Sequence, residues 1–319
     1  SPMPAARRFV DAADSYAPDL TLLAIGTSTE QCSVAVWARR GGIAEGFVID
    51  SPPGPGQSGL VLGLVRDVLD RAGITKTRLD AIAFDAGPGA FTGLRVGCGV
   101  AQGLGFALDR PLVPVPSLSA IAVAAEPVFD MAADSGGASS PRAPVLVAPA
   151  VRPGTGNASR AGARAWDRLV AVDARMQELY WTIIPAGADP CAPVLDIRVG
   201  SAGDALRAFD GCRAVRSPEE DGRVALLGNG FVRCDALRAW AQQQGLEADV
   251  SAWPSADRIA IQAERLWRHG RAVSAAQAAP LYVRDKVALD ATEQARLREA
   301  NRQRAARGAS PDAAARNSR

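Results

Sequence analysis

The residues best suited to chemistry lie between Phe84 and Arg95, where an apolar segment meets Gly87-Pro88-Gly89 and Thr92 then opens a helix. Strand, glycine turn and helix N-terminus make a cradle for phosphate, because backbone N–H groups and the positive end of the helix dipole converge on one spot. Gly26-Thr27-Ser28-Thr29 is a second turn of the same character. Thr27, Ser28, Thr29, Gly87, Gly89 and Thr92 are therefore candidate phosphate contacts, and Thr92 is also the expected N-cap. Arg95, one turn into the helix, can reach a phosphate or a neighbouring carboxylate. Neither turn completes a nucleotide site. The Gly-Pro-Gly run is not followed by the Lys-Ser/Thr pair of a Walker loop. Gly26 offers no carboxylate to hold a metal ion. No cofactor or metal is assigned.

Other chemistries are excluded by what is scarce. A single histidine, His269, rules out a His-x-x-x-His metal site. It lies in Arg265-Leu266-Trp267-Arg268-His269-Gly270, which reads as a helix end before a glycine cap, a place favourable to His without any catalytic role. The five cysteines are scattered, with no Cys-x-x-Cys pair, and no apolar run is long enough to cross a membrane. These features point to a cytoplasmic protein with reduced thiols. The net charge of +2 gives no general attraction to nucleic acid or membrane. Seven arginines between Arg296 and Arg319, against Glu299 and Asp312, concentrate the excess in the tail.

The elements that would carry the two turns can be read from the apolar pattern. Strands are expected at 20–25, 32–37 and 43–49, a helix from Gln57 to Ala72, a strand at 81–84, a helix from Thr92 to Leu108, a strand at 111–115 and a helix from Ser117 to Ala125. Three meander strands followed by two crossover units predict a mixed sheet flanked by helices. That α/β order is the one found in the ribonuclease-H-like halves of actin and Hsp70-type ATPases. A Gly/Pro/Ala/Ser-rich stretch follows. The chain then restarts with a hairpin at 169–176 and 179–184, a strand at 224–227, and helices at 233–243 and 255–268. The expected organisation is a flexible arm at 1–19, a first subdomain at 20–127, a disordered insertion at 128–165, a reduced second subdomain at 166–290 and an Arg-rich disordered tail at 291–319.

The first two helices stand out for their surfaces. Gly93, Gly97, Ala101 and Gly105 recur every four residues and form a ridge with almost no side chains, widened by Gly99 and Gly103. Each interior glycine costs about 1 kcal/mol against alanine, so close packing against another backbone is the expected return. The preceding helix is apolar nearly all round in its first two turns, which predicts cover on both sides. Leu60, Val61, Leu64, Val68, Gly93, Arg95, Gly97, Ala101 and Gly105 are accordingly the expected partner interface.

At the level of motifs the chain resembles the TsaB (YeaZ) family. The resemblance rests on Leu22 to Ala35, on Gly87-Pro88-Gly89-Ala90-Phe91-Thr92-Gly93-Leu94-Arg95, on Asp173-Ala174-Arg175-Met176, on Gly228-Asn229-Gly230 and on Pro280-Leu281-Tyr282-Val283-Arg284. It implies a non-catalytic scaffold in the making of threonylcarbamoyladenosine beside the anticodon of tRNA. It also implies docking to a TsaD-type catalytic subunit through the first two helices, a TsaE ATPase in the assembly, a possible homodimer, and contact with tRNA only through the complex, with no membrane. The alternative is an ATP-binding phosphotransferase of the actin-like class. The chain departs from the family at Gly26, where many members have Asp, and at Gln57, where His is common. The insertion and the tail have no family counterpart.

Overall fold

The computed structural model describes residues 6–11, 18–54, 56–125, 129–131, 167–186, 188, 196–214 and 224–283. Most of the expected insertion and the whole of the expected Arg-rich tail lie outside the described residues.

The first sheet comprises β1 (Arg7–Asp11), β2 (Leu20–Gly26), β3 (Ser33–Arg40), β4 (Ile43–Asp50), β5 (Ala81–Gly87), β6 (Leu112–Pro116) and β7 (Phe129–Met131). Their spatial order is β6-β5-β2-β3-β4-β1-β7. The hairpin strands β2, β3 and β4 pair antiparallel, and β5 and β6 add in parallel beside β2. Between them run α1 (Val61–Ala72), α2 (Phe91–Leu108) and α3 (Ser117–Ala122). All seven residues of β2 are buried, which explains its unbroken apolar run. Leu23 and Ile25 face the core under α1 and α2, and Leu22 and Ala24 face the core on the other side of the sheet.

The second sheet contains β8 (Asp167–Asp173), β9 (Leu179–Ile184), β10 (Arg198–Gly200), β11 (Val224–Leu227) and β12 (Ala248–Asp249), in the order β10-β9-β8-β11-β12. It repeats the first in plan. β8, β9 and β10 form an antiparallel meander, and β11 and β12 extend it in parallel beside β8. Helices α4 (Ala202–Ala214), α5 (Gly230–Arg233) and α6 (Asp235–Gln243) accompany it. The two sheets are thus the paired ribonuclease-H-like halves that the element order predicts. Every residue of α3 is buried. Leu118 and Ile121 pack with Val170, Ile184 and Leu227, so α3 is a wedge shared by both halves.

Several elements differ from the expectation. Arg7–Asp11, inside the stretch expected to be a loose arm, pairs antiparallel with β4, and Phe9 stacks on Trp37 at 5.1 Å. α4 was not foreseen, because its segment is rich in Ala, Gly and Asp and buries few large side chains, chiefly Phe209. The helix expected at 57–72 is divided into a 3-10 turn, Gln57–Leu60, and α1. The helix α7 (Ala256–Arg268) belongs by sequence to the second half but packs on the first sheet through Ile259, Ala260 and Ala263. Its anchor is polar as well. Glu264 accepts hydrogen bonds from Trp37 Nε1 at 2.8 Å, from Arg39 through both Nε and Nη2, and from Arg268 at 2.7 Å. His269 closes α7 ahead of left-handed Gly270, with Nδ1 2.8 Å from the Arg265 carbonyl, which is the capping place its sequence context suggests.

Candidate functional site

The glycine loop sits at the C-terminal edge of β5, where Asp85 organises it. Asp85 is 1% exposed. Its carboxylate accepts hydrogen bonds from Ser28 Oγ, Ser117 Oγ and the Gly87 N–H. These three donors come from the β2–β3 turn, the start of α3 and the loop itself, so one carboxyl ties three segments together. Burial pushes its pKa up to about 6, against the pull of the Ser117, Ser28 and Gly87 hydrogen bonds in the other direction. A carboxyl raised above its unfolded value of 3.8 binds its proton more tightly in the native state. Its contribution to stability is therefore full below about pH 4 and lost as pH rises through about 6. Relative to Asp85→Asn, the wild-type chain should lose about 2 kcal/mol between pH 4 and 7 in urea unfolding. Parallel pH profiles of the two proteins would contradict this.

The β2–β3 turn is clamped onto α2. Thr27 Oγ1 donates to the Gly93 carbonyl at 2.8 Å, and the Ala90 N–H donates to the Ser28 carbonyl at 2.7 Å. This approach is what the glycines permit. A Cβ at Gly93 would lie 1.9 Å from the Thr27 carbonyl oxygen, one at Gly97 2.3 Å from Thr27 Oγ1, and one at Gly89 2.6 Å from Ser28 Cβ. At Gly105 it would meet Leu112 at 2.9 Å and the Arg110 carbonyl at 3.0 Å.

The ridge expected to meet a partner is therefore turned inward. Gly93, Gly97 and Gly105 make room for the chain's own backbone and side chains, and Ala101 is 0% exposed. Val61, Leu64 and Val68 are likewise buried against the first sheet. Of the expected interface, Leu60 and Arg95 remain at the surface. Among the described residues Arg95 forms no ion pair. Its guanidinium lies 3.9 Å above the Phe91 ring, and its Nε is 3.4 Å from Tyr282 Oη.

The phosphate-cradle residues have similar fates. The hydroxyls of Thr27 and Ser28 are spent on Gly93 and Asp85, and both residues are buried. Thr29 bonds within its own turn, to Gln31. Gly87 is buried with φ +102, its missing side chain accommodating Leu94 at 2.9 Å. Thr92 is exposed, and the N-cap position is Ala90, which has no side-chain cap. The space beyond Gly26, where an acidic side chain would project, is filled. A Cβ there would lie 3.0 Å from both Ile259 Cδ1 and the Pro254 carbonyl oxygen. Among the described residues no three His, Cys, Asp or Glu side chains could hold a metal ion. Sequence reading passed over Asp85 and Ser117 as ligands of each other, although an acid inside an otherwise apolar strand is itself a signal of a buried network.

What the two helices do present outward is a second set of small residues. Gly59, in the 3-10 turn before α1, Gly63, in the first turn of α1, and Gly99 and Gly103, in the middle of α2, have open space where a Cβ would stand. Leu60, Leu62 and Phe106 beside them are 48%, 62% and 66% exposed. At the C-terminal ends of β8 and β11, Gly228 and Gly230 let the chain pass close to the Ala171 carbonyl, and Asn229 Oδ1 accepts the Asp173 N–H at 2.9 Å. Arg175, Met176 and Gln177 in the β8–β9 turn all have positive φ.

The family model described as TsaD, tRNA N6-adenosine threonylcarbamoyltransferase, matches residues 58–137, which include both outer helices. A protein named tRNA threonylcarbamoyladenosine biosynthesis protein TsaB in Haemophilus influenzae is 43% identical over 107 residues, 34% of this chain and 44% of that protein. Its namesake in Escherichia coli is 39% identical over 103 residues, 32% of this chain and 43% of that protein. The matched segments thus span less than half the length of these relatives. A crystal structure from Pseudomonas aeruginosa, described as similar to peptidase YEAZ, superposes with a TM-score of 0.55 at 28% identity, covering 83% of this chain and all of that one. The chain is thus similar in sequence to proteins named TsaB and in fold to the YeaZ structures.

Proposed function

We propose that this chain is a non-catalytic subunit of a machinery that makes threonylcarbamoyladenosine in tRNA. In this reading it docks a TsaD-type catalytic subunit on the outer face of α1 and α2, and a TsaE-type ATPase joins the assembly. The observation that carries the reading is the outward set of Gly59, Gly63, Gly99 and Gly103, open on their solvent side and flanked by exposed Leu60, Leu62 and Phe106. Gly99 and Gly103 stand inside a helix where a Cβ would meet nothing within 4 Å among the described residues, so each gives up close to 1 kcal/mol that alanine would supply. A backbone that must approach another helix closely accounts for that loss, and exposed Phe and Leu provide the apolar anchors beside it. The same face would serve a homodimer when the catalytic subunit is absent. A phosphotransferase would need an acid near position 26, where Ile259 and Pro254 occupy the space. The test is the threonylcarbamoyladenosine content of tRNA in cells with and without this chain.

A further inference from the structure

We propose that the end of the first sheet opposite the glycine loop is a contact surface for the phosphate backbone of RNA. The choice of RNA rests on the proposed role in tRNA modification; the surface itself is read from charge and placement.

Hydrogen bonds bring the segments of this end together. Arg40 Nη2 donates to Thr21 Oγ1, and the Thr21 N–H donates to Asp80 at 2.7 Å. Arg110 Nη2 reaches the Thr77 carbonyl at 3.5 Å, and Leu112 and Val273 exchange two backbone bonds of 2.8 Å. Arg40, Arg71, Lys76, Arg78, Arg110 and Arg271 therefore share one end of the domain, and all but half-buried Arg110 are exposed. Arg71, Lys76 and Arg78 form no ion pair among the described residues. Of the acids nearby, Asp80 and Asp19 are turned to backbone N–H groups, of Thr21 and Gly41, while Asp70 and Asp109 are exposed.

A plainer account is that these cations offset helix dipoles, since α1, α2 and α7 all end here. Of the six it covers Arg71, which sits in the last turn of α1. Each helix end is worth about half a negative charge, and the effect fades within one turn. Lys76 and Arg78 lie on the short 3-10 turn between α1 and β5, outside any α-helix end. Five of the six cations are arginines, whose planar fork matches phosphate oxygens. The exposed large apolar residues at this end are Ile43 and, in the last turn of α2, Phe106; neither lies on the Arg71–Arg78 segment, where a phosphate backbone needs only the charges.

The test is binding of unmodified tRNA to the full chain, alone and with its catalytic partner, between about 50 and 200 mM salt. Arg71→Glu/Lys76→Glu/Arg78→Glu should weaken binding by about tenfold or more and flatten the log affinity–log salt slope by about two to three. An equal charge change elsewhere, Arg207→Glu/Arg213→Glu/Arg233→Glu, should leave both nearly unchanged. The neutral variant Arg71→Gln/Lys76→Gln/Arg78→Gln should fall between wild type and the reversed form. Unchanged affinity in the reversed variant, an equal loss in the control, or competition by polyglutamate as effective as by RNA would each overturn the proposal. If depletion of the chain lowers threonylcarbamoyladenosine but the reversed variant binds tRNA normally, the surface is refuted and the function stands. If depletion changes nothing yet the variant loses tRNA, the function is refuted and the surface stands.

Discussion

Gly93→Ala is expected to destabilise the chain by about 3 kcal/mol, even though alanine is the better helix former by about 1 kcal/mol. The reason is the neighbour. The new methyl would sit 1.9 Å from the Thr27 carbonyl oxygen, and Thr27 is held there by its own bond to the Gly93 carbonyl. Neither partner is a flexible side-chain tip, so α2 or the β2–β3 turn must move, and Asp85, Ser28 and the glycine loop move with it. A loss of this size should lower the melting temperature by on the order of 10 °C. Gly99→Ala and Gly103→Ala meet nothing within 4 Å and should together raise stability by about 1–2 kcal/mol. Gly99→Trp should leave the fold intact and abolish co-purification with the catalytic subunit. Thermal melts and pull-downs of these four variants separate the inner glycine ridge from the outer one. If Gly93→Ala melts like wild type, or Gly99→Trp still binds, the assignment of the two faces is wrong.

Glu264→Ala should cost about 3–5 kcal/mol. Glu264 and Arg39 are 2% exposed, and the carboxylate is the shared acceptor for Trp37, Arg39 and Arg268. Burial pushes the Glu264 carboxyl up, but hydrogen bonds from Arg39 and Trp37, with the charges of Arg39 and Arg268, outweigh it and hold the group below its usual range. Removing the carboxylate strands the Arg39 guanidinium in a site that offers it the Gly42 carbonyl in compensation. Because Glu264 lies on α7 and Arg39 on β3, the loss should free α7 from the first sheet. Hydrogen exchange of α7 amides should then rise well above that of β2. Glu264→Gln, which keeps the shape and an acceptor for Trp37, should cost less. A melt of Glu264→Ala within about 1 kcal/mol of wild type would show that the pair is not what holds α7.

The loops were more legible in the sequence than the faces of the helices. Gly87-Pro88-Gly89 announces a tight turn because nothing else tolerates that backbone, and Gly87 does stand at positive φ. The hairpin at 169–184 and the strand at 224–227 follow from continuous apolar runs and appear as β8, β9 and β11. The glycine pattern of α2 is ambiguous in a specific way. Gly93, Gly97 and Gly105 form one fourfold row, and Gly99 and Gly103 form another. Spacing alone does not say which row turns inward. Leu94, Cys98 and Ala101 settle it, since these buried residues lie beside the first row and carry it under the surface. Asp85 is invisible to periodicity, because its partners Ser28 and Ser117 are 57 and 32 residues away. The placement of α7 on the first sheet depends on Glu264 meeting Arg39 and Trp37 across more than 220 residues of chain, which no local pattern encodes.

The most direct measurement of the central claim is nucleoside mass spectrometry of tRNA from cells depleted of this chain and then supplied with wild type or with Gly99→Trp. Threonylcarbamoyladenosine is expected to fall on depletion, to return with wild type and not to return with Gly99→Trp, which folds but presents a blocked outer face. Threonylcarbamoyladenosine that stays at its normal level in the depleted cells would contradict it.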